Sequence, residues 1–154
     1  MASIEWCLRQ KDGLRIAEPS QNMSDSYIKM AEESIEVLHS IKKSNIWVAT
    51  TSYYIFYYSL YSLMLRIGVK CGIHSCSIEF MKQFLKDLYD GHDIKMFDKA
   101  FEARINLQYY ADRPVDQSEI EDSRTYCKDF FIKTRDILSK ITEPKINSIR
   151  AELK

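Results

Sequence analysis

Apolar residues recur along this chain every three or four positions, and its few glycines and prolines fall between those runs. The pattern predicts a short first helix over Ile4–Lys11. A second is expected over Asp25–Lys43, with Ser24 as its N-cap and with Ile28, Ala31, Ile35, Leu38 and Ile41 along one side. A third spans Asn45–Ile67, a fourth Ser75–Leu88 with Ile78, Met81, Leu85 and Leu88 inward, and a fifth Asp93–Tyr110. The sixth covers Gln117–Ile141 and opens on a capping-box pattern, Asp116 with Glu119. Gly13 and Pro19, Gly68 and Gly72, Gly91, Pro114 and Pro144 mark the gaps. No alternating run predicts a hairpin. The expectation is an all-α fold: an antiparallel helical bundle of four long helices plus short accessory helices. It is read as one domain, with a core over about residues 24–141 and a C-terminal tail.

Composition narrows the class without naming a function. The 154 residues are 45% hydrophobic and 29% charged, which suits a chain that builds a core without a disulfide or metal staple. Four Gly and three Pro are too few for a many-stranded sandwich or barrel. Lys+Arg and Asp+Glu number 22 each, and no segment gathers one sign, so a broad basic nucleic-acid face is not expected. The opening MASIEWCLRQ carries Glu5 and Arg9, unlike a secretory leader, and a cytoplasmic location is expected. Ile46–Leu65 is uncharged and long enough to cross a bilayer, but half its residues are Tyr, Ser or Thr. Hydrocarbon would leave those hydroxyls unpaired, so a buried central helix is predicted and no membrane partner.

Most candidate chemistry dissolves on inspection. Cys71, His74 and Cys76 are spaced like zinc ligands, yet no second Cys/His pair stands near them. They read as residues flanking a turn, with His74 at the start of the next helix, and neither a metal, a cofactor nor a Cys71–Cys76 disulfide is expected. Isolated glycines make no phosphate loop.

The fifth helix is the exception. At 100° per residue, Asp98, Lys99, Glu102, Asn106 and Tyr109 gather within about 60° of Lys95, while Phe97, Ala100, Phe101 and Gln108 lie opposite. Arg104 falls at about 180°, the centre of the apolar face. A guanidinium there needs partners: an internal acid such as Asp129 or Asp136, a subunit interface, or a cleft receiving an anion such as a phosphate. The third helix supplies Tyr and Ser/Thr hydroxyls but no acid, a setting that tolerates a phosphate or stacks on a base.

Three stretches together resemble the HEPN superfamily. Thr51-Ser52-Tyr53-Tyr54-Ile55-Phe56-Tyr57 is similar to its SAYYAMFH-type helix, and Gly68-Val69-Lys70 followed by Ile73-His74-Ser75 to its G-x-K…THS turn. Arg104 with Gln108-Tyr109-Tyr110-Ala111-Asp112 resembles the Arg-x-x-Ala-Asp-Tyr region of its small prokaryotic branch. The resemblance implies a homodimeric helical bundle, often encoded beside a minimal nucleotidyltransferase. Many such proteins are metal-independent ribonucleases, including toxins of toxin–antitoxin pairs, and others bind nucleotides or serve as partners.

The family's nuclease motif is Arg-x(4–6)-His. Arg104 matches its Arg, but Ile105 fills the usual polar slot, and Tyr109, Tyr110 and Ala111 stand where the His belongs. Without that imidazole no group there titrates near neutrality. The expectation is therefore a nucleotide- or RNA-binding protein, a non-catalytic partner of a nucleotidyltransferase. The alternative is a ribonuclease using Arg104 with His74 as substitute acid/base. In either case Arg104, Gln108, Tyr109 and Tyr110 would line the cleft, with Tyr53 and Tyr54 behind. By resemblance alone, Tyr109 or Tyr110 is the candidate acceptor of nucleotidylation.

Overall fold

The uncharged run forms α3 (Asn45–Ile67), the helix around which the rest of the computed structural model, describing residues 2–154, is assembled. Fifteen of its 23 residues are buried. It packs against α2 (Gln21–Ser40), α5 (Gly91–Tyr109) and α6 (Gln117–Lys140), and α5 also packs on α6. Together with α1 (Ile4–Arg9), α4 (His74–Phe84) and α7 (Glu143–Glu152), the helices hold about three quarters of the described chain. The remaining regular structure is a two-residue antiparallel pair, β1 (Arg15–Ile16) with β2 (Val69–Lys70), in the register Arg15↔Lys70 and Ile16↔Val69.

The hydroxyls of α3 find partners inside the protein. Ser62 Oγ donates to the Ser24 carbonyl at 2.8 Å, and Ser59 Oγ to that of Ile55 at 2.6 Å. Tyr61 OH accepts the Cys71 N–H at 3.2 Å. Satisfied in this way, a polar helix can be buried at little loss. Among the described residues no helix is long and apolar enough to cross a membrane. Around α3 the core is aromatic. Phe56 meets Phe97 at 5.2 Å and Phe130 at 5.0 Å, and Tyr89 stacks on Phe130 at 4.7 Å with its hydroxyl on Thr134.

Several boundaries differ from the periodic reading. α2 begins at Gln21 because Ser20 is the cap, its side chain accepting from the Met23 N–H, while Ser24 is buried against Ser62. α4 stops at Phe84, and the capping box sits at the start of α5, between Asp90 and Asp93. Asp93 is buried there with Lys133 and the Tyr126 hydroxyl as partners. At the C-terminus the expected tail is α7: Thr142 caps it, and Pro144 occupies its first turn, where a missing N–H is harmless. The strand pair was not predicted, since two residues have no period to read.

Two further ties are long-range. Arg150 Nη1 donates to the carbonyls of Ala17 at 2.6 Å, Gly68 at 2.9 Å and Ile67 at 3.2 Å, fastening α7 to the end of α3. Gly68 closes α3 with a φ of 92°, and a Cβ there would fall 2.1 Å from Arg150 Nη1, so both conformation and space require glycine. Cys7 of α1 is bonded to Cys76 of α4, with Cα atoms 5.7 Å apart, leaving Cys71 and Cys127 as buried free thiols. That bridge corrects the expectation of a chain without disulfides.

Candidate functional site

α3 and α5 lie side by side in a register that brings Gln108 to Thr50, Nε2 donating to Oγ1 at 3.2 Å. One turn back along α5, the same register sets Arg104 on the tyrosines of α3. Its guanidinium carbon is 4.9 Å from the Tyr53 ring centre and 5.3 Å from that of Tyr54. Tyrosine faces attract a cation, but they supply no hydrogen-bond acceptor in that direction. Arg104 Nε is buried without a partner, and no carboxylate reaches the guanidinium among the described residues. The internal-acid alternative is thereby excluded: Asp129 and Asp136 are exposed, and Asp136 pairs with Lys140 at 3.0 Å.

His74 arrives from a third element. It is the first residue of α4, and its Nδ1 lies 2.7 Å from the Tyr53 hydroxyl. Its ring stacks on Tyr57 at 3.9 Å between centres. Burial, and then the charge of Arg104, lower its pKa to about 4, so it is neutral at pH 7. Burial also pushes the Tyr53 phenol far above its ordinary value, so its oxygen keeps its proton. That buried O–H has Nδ1 as its acceptor and donates to it. The neutral imidazole then carries its own proton on Nε2. His74 and Arg104 are therefore both hydrogen-bond donors, one neutral and one cationic.

Among the residues singled out from sequence, the structure brings together Arg104, His74, Tyr53 and Tyr54, with Gln108 one turn along. Tyr109 and Tyr110 stand apart at the end of α5, 66% and 42% exposed, and Arg113 lies 3.7 Å over the Tyr110 ring. The zinc-like trio does not converge. Cys76 is bonded to Cys7, Cys71 Sγ donates to the Ile73 carbonyl at 3.2 Å, and His74 Nδ1 is engaged by Tyr53.

Two contributors escaped the sequence reading. Phe101, whose ring is 5.7 Å from that of Tyr53, looks like ordinary core in the helical pattern. The Cys7–Cys76 bridge, two residues beyond His74, holds the start of α4, and its only signal in the sequence is a pair of cysteines far apart. No protein-family model, curated protein or solved structure matches this chain.

Proposed function

We propose that Arg104 and His74 bind a phosphate group of a nucleotide or of single-stranded RNA, and that the protein is a non-catalytic partner of a minimal nucleotidyltransferase in a toxin–antitoxin-type module. The observation that carries the reading is the half-buried guanidinium lying on two tyrosines with no carboxylate. Such a cation is unsatisfied until an anion arrives, and a phosphate oxygen can accept from both the guanidinium and His74 Nε2–H. In this reading α2, α3, α5 and α6 are the antiparallel four-helix bundle of a HEPN-like fold, and a homodimer presents Arg104 twice. Met23, Met30 and Val37, spaced by seven on α2 and all exposed, supply an apolar stripe for the second copy. A cytoplasmic setting goes with such ligands, and there Cys7 and Cys76 would be held as thiols.

The ribonuclease alternative gains from the closeness of His74 to Arg104. It loses on protonation. A general base needs a free lone pair, and with Nδ1 occupied and Nε2 protonated the neutral ring has none to offer. The test is to titrate ribose 5-phosphate and a short single-stranded RNA into the wild type and into Arg104→Ala, with RNA integrity followed in parallel. Binding weakened about tenfold or more in Arg104→Ala, with RNA intact throughout, is the expected result. Cleavage by the wild type that both Arg104→Ala and His74→Ala abolish would replace binding with catalysis.

A further inference from the structure

A groove of about 410 Å³ between α4 and α5 begins where the Arg104–His74 pair ends. Ser75, next to His74, and Phe101, one helical turn before Arg104, both line it, and Ile78 adds a second apolar wall. The N-terminal arm borders it through Ala2, on the segment that the Cys7–Cys76 bridge fastens to α4. Because the Phe101 ring also packs on Tyr53, one aromatic cluster underlies both the groove and the cation.

The polar lining has the opposite sign to Arg104. Glu79, Asp98 and Glu102 face a single cation, Lys82, which Asp98 holds at 3.0 Å. Glu102 has no hydrogen bond or ion pair among the described residues, and Glu79 receives only Gln83 Nε2 of its own helix, at 3.3 Å. An anion is repelled from this groove and attracted to its Arg104 end. A ligand using both must therefore be polarised, with phosphate at one end and a flat, uncharged group rich in N–H donors at the other. Three residues of helix rise about 4.5 Å, which a ribose between phosphate and base can span.

Carboxylates only accept hydrogen bonds. Among the common bases, guanine alone offers two adjacent donors, N1–H and the N2 amino group, beside an O6 acceptor. Adenine and cytosine set a ring-nitrogen acceptor beside their amino group, which a carboxylate repels. Lys82 keeps N–H donors free after Asp98 and matches O6.

We propose that the α4–α5 groove is a base slot for a guanine nucleotide, with the N1–H/N2 edge held by Glu102 and Glu79, the ring between Phe101 and Ile78, and the phosphate on Arg104. The slot rests on the phosphate reading of Arg104, and the experiment separates the two. GMP, IMP, AMP, guanosine, inosine and ribose 5-phosphate are titrated calorimetrically into the full chain, its Glu79→Ala and Glu102→Ala variants, and Arg104→Ala. Glu102 is exposed on a helix, where alanine is well tolerated.

GMP should bind at least about fivefold tighter than IMP, which lacks the N2 amino group, and tighter than AMP. Glu102→Ala should erase that preference and leave ribose 5-phosphate binding unchanged. Arg104→Ala should weaken GMP and ribose 5-phosphate alike. Equal binding of GMP and IMP, a preference for AMP, or selectivity indifferent to both carboxylate variants would overturn the slot, while Arg104-dependent ribose 5-phosphate binding would still uphold the phosphate reading. Guanosine preferred over inosine, with ribose 5-phosphate not bound, would uphold the slot and overturn the phosphate reading. No binding by any of them overturns both.

Discussion

His74 is held neutral by its surroundings, and this couples its protonation to the stability of the fold. Its pKa falls from 6.5 to about 4 on folding, first through burial and then through Arg104. Between those values the unfolded chain binds a proton that the folded chain refuses, so stability rises with pH across the window. The contribution is complete above pH 6.5 and is lost as pH falls towards 4. Urea midpoints measured from pH 7 down to pH 4.5 should therefore decline, and His74→Gln should flatten that decline. An unchanged slope in the variant would mean that His74 titrates normally. The same residue illustrates how local information runs out. His74 and Tyr53 stand 21 positions apart, and the chain pattern places each on its own helix but does not join them.

At the scale of elements, helix caps and covalent ties decide what periodicity leaves open. The bounds of α3 follow from sequence because Ser44 caps one end and Gly68 turns the other. The start of α2 does not, since Ser20 and Ser24 are equally good caps until one is buried. α7 was hidden because proline reads as a breaker wherever the cap before it is not considered. The Cys7–Cys76 bridge links elements separated by 69 residues, and loop entropy at that length corresponds to roughly 4 kcal/mol. Thiol titration in denaturant should find two free thiols in the oxidised protein and four after reduction. Reduction, or Cys7→Ser, should lower Tm by on the order of 10 °C. Four thiols in protein purified without reductant would mean that the bridge does not form.

For the whole molecule, the question is what covers the outer face of α2. Met23, Met30 and Val37 repeat every seven residues there and remain exposed, with Val37 54% accessible. Sedimentation should give twice the mass of one chain, and Met30→Glu should shift the species to a monomer with helical content unchanged. A wild-type monomer at micromolar concentration would remove the homodimer from the proposal.

The sequence by itself determined that this chain is helical, where its central helix lies, and that Arg104 sits on an apolar face. All three follow from periodicity and from the backbone preferences of capping and breaking residues, which act over one or two turns. Tertiary structure decided what Arg104 meets. Tyr53, His74 and Arg104 come from α3, α4 and α5, and only the register among those helices sets a guanidinium on tyrosine faces, beside a neutral imidazole and out of reach of every acid. That register is chosen by the packing of the whole core and by a disulfide spanning nearly half the chain. Helical spacing reports which face a residue occupies, and the fold alone reports what lies opposite it.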